Sequence, residues 1–265
     1  MARIIYTVIE GVALIELSDP PANTYSYQMM RELDEVVLAA RLDDTVHVLL
    51  LTGAGEKFFC AGANIGALSE ATPTFKYYFC LHANETLSRL EQTPKLVIAA
   101  LNGHTVGGGL EVAMAADLRV ARQHGGKIGL PEVGLGVLPG TGGTQRLARL
   151  VGKARAIELM ATGVLMTFDE AKADGLVTAV WDETALAGRS FRVAALDYAR
   201  QFTPPHKASR AVGAIKRAVH AGLEMSFADG LSLERELQQR LFESRDAQEG
   251  LRANLEKRKP NFTGS

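Results

Sequence analysis

Two glutamates follow glycine-rich turns, and carboxylates in such places can bind ligands and move protons. The first is Glu111, which follows the glycine triplet 107–109 in a segment that predicts a strand, a turn and then a helix. The first amides of a helix have no partner within the helix, and glycines let a ligand oxygen approach such donors. The sequence leaves two interpretations of Glu111: a catalytic carboxylate, or an ordinary first-turn acid beside a tight turn.

The second glutamate, Glu132, lies in the apolar and glycine-rich segment 129–136. Burial in such surroundings would raise the pKa of its carboxyl and allow proton exchange near neutral pH. The alternative is a solvated loop acid, and the sequence alone does not decide between them.

A third segment of small residues, 58–65, follows a predicted strand at 46–52. Its backbone amides could supply a second hydrogen-bond donor to an oxyanion, or the segment could be a plain turn. Cys60 within it is interpreted as a small buried residue rather than a nucleophile, because no partner histidine is suggested.

The elements that position these segments follow from hydrophobic periodicity. It predicts a hairpin at 6–17, helices at 26–42, 73–90, 110–116, 153–161 and 168–173, and strands at 95–101, 118–121 and 177–180. The glycine-rich stretch 134–143 is predicted to be an irregular loop. Residues 189–259 are predicted to be helical, with one long amphipathic segment at 238–259. Alternating strands and helices are typical of an α/β architecture with mostly parallel pairing.

Composition narrows the function classes. The chain has 265 residues, with 29 basic and 30 acidic side chains and a formal net charge of −1. Such a chain has no overall field to hold nucleic acid or an anionic membrane. Phosphate-loop, zinc-protease and serine-hydrolase motifs are absent from the sequence, and the six histidines are scattered. Because the histidines form no cluster, we expect no metal site. The two cysteines suit a reducing compartment, so we expect a cytoplasmic protein.

Taken in order, these segments resemble the enoyl-CoA hydratase (crotonase) family along nearly the whole chain. The matching motifs lie at 59–65, 102–111, 131–136, 139–147, 171–177 and 256–260. The resemblance implies an α/β crotonase-like ββα spiral core over residues 1–198 that contains the active site. It also implies a helical C-terminal trimerisation region over 199–265, which closes the CoA pocket and makes the contacts of a homotrimer or a dimer of trimers.

The resemblance also implies site residues by motif position. The amides of Ala63 and Gly108 would form an oxyanion hole for the thioester carbonyl of an acyl-CoA, and Glu111 and Glu132 would be catalytic. Further substrate-binding positions are Ala22 near the adenine end, Ala61, Asn64, Ile65, Pro131, Gly140 and Lys257. For Lys257 the alternative is a solvated charge within a basic run.

The implied reaction is the addition of water to a 2-enoyl-CoA to give a 3-hydroxyacyl-CoA, a step of fatty acid β-oxidation. It would need no cofactor beyond the coenzyme A of the substrate. Two alternatives stay open: an enoyl-CoA double-bond isomerase, and a non-catalytic acyl-CoA-binding protein.

Four departures from the family pattern leave the acyl group undefined. They are the segment 23–25, Cys60, Asn64 in place of aspartate, and Asn254. Four tyrosines could also place phenols near the acyl pocket: Tyr25, Tyr27, Tyr77 and Tyr78.

Overall fold

The structure, a computed structural model, describes residues 2–265. The strands are β1 Ile4–Ile9, β2 Val12–Leu17, β3 Val48–Gly53, β4 Phe58–Cys60, β5 Leu96–Leu101, β6 His104–Val106, β7 Leu118–Arg122, β8 Ile128–Gly129 and β9 Ala179–Trp181. The helices of the first part are α1 Tyr27–Leu42, α2 Ile65–Glu70, α3 Pro73–Gln92, α4 Gly108–Met114, α5 Gly143–Val151, α6 Lys153–Thr162 and α7 Phe168–Ala173. The later helices are α8 Glu183–Leu186, α9 Phe191–Arg200, α10 Ser209–Gly222, α11 Phe227–Phe242 and α12 Arg245–Leu255.

A six-stranded sheet forms the centre of the fold, with the order β1-β2-β3-β5-β7-β9. Only the β1–β2 hairpin is antiparallel, and its turn uses the left-handed conformation at Glu10 and Gly11. The predicted hairpin and the mostly parallel pairing are therefore confirmed.

Both faces of this sheet are buried along β2, β3 and β5, because side chains of these strands alternate between two cores. In β3, for example, Leu49 and Leu51 face the core under α1, α3 and α4, while Val48 and Leu50 face the core under α9. This explains why the strands have nearly continuous apolar sequences.

A second sheet of three short parallel strands, β4-β6-β8, stands beside the first. Its backbones approach the neighbouring loops closely: a Cβ added to Gly103 would lie 2.2 Å from the carbonyl carbon of Lys57. Segment 58–65, one of whose interpretations was a plain turn, thus contains strand β4 and the start of α2.

Two predictions, one for a helical segment and one for a loop, need correction. The segment 238–259 is not one helix, since α11 ends at Phe242 and Ser244 caps α12 by accepting a hydrogen bond from the amide of Ala247. The stretch 134–143 is not wholly irregular, because it includes part of a 3₁₀ turn, Glu132–Leu135, and the first residue of α5.

The C-terminal helices are joined to the main sheet by a buried ion pair. Nζ of Lys216 on α10 lies 2.9 Å from Oδ2 of Asp117, which also accepts a hydrogen bond from the amide of Val97 at 2.7 Å. Lys216 also donates to the carbonyl of Lys95. Removing one partner of such a pair typically costs about 3–5 kcal/mol, because the other charge stays buried.

The last strand ends at Trp181, and only helices follow it among the residues described. The predicted division of the chain after residue 198 falls within α9, and that division stays a prediction. Over residues 2–265, no helix combines the length and the apolar character that a membrane span requires.

Candidate active site

Glu111 lies in the first turn of α4 and is only 2% exposed. Its Oε1 accepts hydrogen bonds from the amides of Thr141 at 2.7 Å and Gly143 at 2.8 Å. Burial raises the pKa of the carboxyl, while the amides of Gly143 and Thr141 oppose that rise. Glu111 is therefore a buried, firmly held carboxylate and not a solvated surface acid.

The two amides come from the start of α5, where the chain must pass close to Glu111. Gly142 has a φ of 100°, which an L side chain rarely adopts. A Cβ added to Gly143 would lie 2.9 Å from Oε1 of Glu111, so any residue other than glycine would clash with the carboxylate. The sequence around residue 142 thus determines how Glu111 is held.

Glu132 begins the 3₁₀ turn and is half-buried. Desolvation by burial raises the pKa of its carboxyl to about 7, and the negative charge of Glu111 adds to that shift. Its Oε2 is buried and accepts no hydrogen bond within residues 2–265. The expectation of a desolvated carboxyl fits these surroundings better than that of a solvated loop acid.

Glu132 also lies against the glycine triplet that precedes Glu111. A Cβ added to Gly107 would lie 3.0 Å from Oε1 of Glu132. The structure thus brings both glutamates to one turn, although they are far apart in sequence and are held by different elements.

The backbone beside this turn offers two unpaired donors. The amides of Ala63 and Gly108 donate no hydrogen bond within the described part of the chain. Their segments touch, since a Cβ added to Gly62 would lie 3.5 Å from the amide nitrogen of Gly108. Gly62 has a φ of 86°, so this approach depends on glycine.

A cation from α3 also influences both carboxyl groups. The charge of Lys76 lowers the pKa of Glu111 and of Glu132, against the larger effect of burial. Its Nζ lies 5.4 Å from the centre of the Phe79 ring, which favours a cation through its π face. Lys76 was not a candidate from sequence, because its proximity depends on how α3 packs.

Four of the positions expected to bind substrate lie in two pairs. Ala22 and Ala61 are neighbours, since the amide of Ala61 donates to the carbonyl of Ala22 at 3.0 Å. Asn64 and Ile65 are exposed at the start of α2, and the Asn64 side chain caps that helix by accepting from the amide of Ala67.

The remaining expected positions lie on other elements. Pro131 immediately precedes the 3₁₀ turn, and a Cβ added to Gly140 would lie 3.1 Å from Sγ of Cys80. Lys257 is exposed after α12, and within one chain nothing described brings it to the glutamates.

Cys60 is fully buried, and burial raises the pKa of its thiol to about 12. This confirms the interpretation as a small core residue. Over residues 2–265, no three histidine, cysteine, aspartate or glutamate side chains form a cluster that could hold a metal ion.

The chain is similar to known proteins along nearly its whole length. The Enoyl-CoA hydratase/isomerase family model matches residues 7–265. The "Short-chain-enoyl-CoA hydratase" of Clostridium acetobutylicum is 36% identical over 94% of this chain and 92% of its own. The "Crotonyl-CoA hydratase" of Syntrophomonas wolfei is 35% identical over 96% and 95%.

Solved structures of enoyl-CoA hydratases are also similar to this chain. A Geobacillus kaustophilus crystal structure described as "Enoyl-CoA hydrates" is 43% identical, covers 100% of this chain and 98% of its own, and superposes with a TM-score of 0.94. The Bacillus anthracis enoyl-CoA hydratase is 33% identical, covers 99% and 100%, and has a TM-score of 0.88. The expected crotonase-like fold is confirmed, and the chain belongs to the enoyl-CoA hydratase/isomerase family.

Proposed function

We propose that this protein is an enoyl-CoA hydratase that adds water across the 2,3 double bond of an enoyl-CoA. The observation that supports this most strongly is the pair of carboxyl groups at one glycine turn, one held by two amides and the other with a pKa near 7. Hydration needs one group to activate water and another to supply a proton, and this pair offers both.

The unpaired amides of Ala63 and Gly108 would bind the thioester carbonyl oxygen. Attack of water on the β carbon moves negative charge onto that oxygen, and fixed donors stabilise it where it develops. Loss of one such donor reduces turnover by roughly 100- to 1,000-fold in a well-studied protease. The proposed chemistry therefore relies on backbone donors and needs neither a metal nor a redox cofactor.

The two glutamates would divide the proton transfers. Glu111 accepts two amide hydrogen bonds, which favour its charged form and fix its orientation, so it would orient and deprotonate the water. Glu132, with a pKa of about 7, is partly protonated near neutral pH and would deliver a proton to the α carbon. Because the two groups interact, they titrate as a pair.

The substrate would lie along the backbone that carries the donors. We propose that the acyl thioester contacts Ala61, Asn64, Ile65, Pro131 and Gly140, with the adenine end near Ala22. Lys257 would approach the nucleotide from a neighbouring subunit, since its place after α12 is exposed.

A homotrimer, or a dimer of trimers, would supply that neighbouring subunit. The C-terminal helices expose large apolar side chains, among them Leu223, Phe227 and Leu255, each more than 80% exposed. Apolar surface of this kind is typical of an interface with another chain.

The test is a turnover assay with crotonyl-CoA, which follows the loss of absorbance of the conjugated enoyl thioester. Glu111→Gln and Glu132→Gln should each lower kcat by at least about 100-fold, because each removes an acid or base. Glu183→Gln is the matched control, since Glu183 is also a first-turn acid but is exposed on α8. Near-normal turnover in both site variants would rule out this mechanism.

Product analysis with a 3-enoyl-CoA as a second substrate separates the alternatives. An isomerase would convert a 3-enoyl-CoA to a 2-enoyl-CoA without forming a 3-hydroxyacyl product, and a binding protein would bind acyl-CoA without turnover. A screen of straight-chain, branched and cyclic enoyl-CoAs would then define the acyl group.

A further inference from the structure

Tyr25 joins three parts of the proposed active site, although its position precedes α1 and is distant in sequence from all of them. Its backbone forms a parallel bridge with Ala63, and its amide donates to the carbonyl of Gly62 at 2.9 Å. Tyr25 therefore holds the segment whose amide is proposed as one oxyanion donor.

The ring of Tyr25 supports the other donor. A Cβ added to Gly108 would lie 3.0 Å from Cδ1 of Tyr25, so the ring packs directly on the start of α4. On the α3 side the ring stacks with Phe79, with centroids 5.0 Å apart and planes at 24°. Aromatic packing of this kind fixes the ring in one place.

The hydroxyl of Tyr25 continues the connection to Glu111. It lies 2.7 Å from Oγ1 of Thr141 in a buried contact, and the amide of Thr141 donates to Oε1 of Glu111. The contact between the two hydroxyls holds Thr141 in place, and with it the backbone amide that donates to Glu111. The Thr141 side chain also lowers the pKa of Glu111, against the larger effect of burial.

Tyr25 is suited to remain a donor. Burial raises the pKa of its phenol far above the ordinary value, and the nearby charge of Glu111 contributes, so the phenol stays protonated through the working range. Two other charged groups are coupled to Glu111: the charge of Lys76 lowers the pKa of Glu111, and the charge of Glu111 raises the pKa of Glu132.

We propose that Tyr25 is a positioning residue: through Thr141 it holds Glu111 in its reactive orientation, and its ring and backbone fix the spacing of the Ala63 and Gly108 amides. This inference rests on the proposed hydratase function. In this arrangement the phenol contacts Thr141, whose amide donates to Glu111.

The experiment compares Tyr25→Phe with the wild type on crotonyl-CoA. Phenylalanine keeps the ring stacking and removes only the hydroxyl, so we expect kcat to fall about 10-fold while KM changes less than twofold. Because Thr141 loses its partner, the pKa of Glu111 should rise and the acid limb of the pH profile should move to higher pH. Tyr198→Phe, which removes a phenol hydroxyl from α9, is the matched control and should leave kcat and the profile unchanged.

Two further variants separate positioning from a loss of folding. Thr141→Ser keeps the hydroxyl and should retain kcat within about threefold, whereas Thr141→Val should lose as much as Tyr25→Phe. In a Glu111→Gln background, Tyr25→Phe should cause little further loss, because both changes act on one group. An unchanged kcat in Tyr25→Phe, or losses that add fully in the double variant, would overturn the proposal.

A readout without turnover separates this proposal from the hydratase function itself. If the wild type hydrates no enoyl-CoA, the proposed function fails. The proposal for Tyr25 is then decided by ¹³C NMR titration of carboxyl-labelled glutamate, with Glu111 assigned through Glu111→Gln. A higher pKa of Glu111 in Tyr25→Phe supports positioning, and an identical titration refutes it.

Discussion

At the residue scale, burial and the charge of Lys76 shift the pKa of Glu132 in opposite directions. Burial makes Glu132 hard to ionise, and the cation on α3 makes it easier. The resulting pKa of about 7 means that both protonation states are populated near neutral pH. This suits a group that must give and regain a proton.

We therefore expect kcat/KM for crotonyl-CoA hydration to fall about tenfold per pH unit above about pH 7, because the proposed reaction needs protonated Glu132. Lys76→Met should move this limb to higher pH, since removal of a positive charge raises the pKa of a nearby carboxyl. The measurement is kcat/KM from pH 5 to pH 9.

Lys57→Met is the matched control for this shift. Lys57 also lies 5.4 Å from the centre of a phenylalanine ring, that of Phe58, but no effect on either glutamate is associated with it. A limb that moves to lower pH in Lys76→Met, or one that is flat to pH 9 in the wild type, would contradict the assignment.

At the scale of elements, the meeting of α4 and α5 determines the state of Glu111. The carboxylate belongs to one helix, and its two hydrogen-bond donors belong to the start of the other. Gly143 at this junction leaves no space for a side chain, since an added Cβ would also lie 2.6 Å from Cβ of Pro139.

Gly143→Ala should therefore displace Glu111 and lower kcat at least about 10-fold, because small displacements of catalytic groups have large effects on rate. The matched control is Gly222→Ala at the end of α10, where an added Cβ meets nothing within 4 Å. Circular dichroism and steady-state kinetics on both variants would check this. Equal activity of the two variants would mean that the α4–α5 contact does not position Glu111.

The elements also explain how far sequence reasoning could reach. The strands β3 and β5 and the helices α1 and α3 were predictable, because each has enough residues to display its period. The strands β4, β6 and β8 have only two or three residues each, with no period to read, and their pairing depends on contacts between distant segments.

The candidate site was predictable where the signal is local and not where it depends on contacts between distant residues. Glu111 and Glu132 stand next to conspicuous glycines, so their surroundings could be anticipated from local sequence. The contact of Thr141 with Glu111 joins residues 30 positions apart, and that of Tyr25 with Thr141 spans 116, so neither has a local signal. The break between α11 and α12 was missed because apolar spacing continues across it, although Ser244 is a typical N-cap residue.

At the scale of the whole molecule, the exposed apolar surface near the turn between α10 and α11 is typical of a contact with another copy of the chain. Leu223 and Phe227 project from this turn and are 81% and 82% exposed. We expect the protein in solution to have about three or six times the 28.5 kDa of one chain.

Phe227→Glu should weaken this assembly, because a charge would be buried at the contact. The α11 helix itself should persist, since Phe227 is its first residue and acidic side chains are favoured there. Sedimentation equilibrium on both proteins measures the effect, and circular dichroism reports the fold. A wild type that sediments as a single chain would refute the expected trimer.

The close packing of the small sheet has a consequence for how this scaffold can be altered. An added Cβ would lie 2.9 Å from the carbonyl oxygen of Val106 at Gly62 and 2.2 Å from that of Cys60 at Gly109, so a side chain at either position would move main-chain atoms beside Ala63 and Gly108. The exposed start of α2 and the outer face of α3 have no such restriction. Substitutions at these exposed positions would therefore change the surface beside the candidate site while the backbone of Ala63 and Gly108 stays in place.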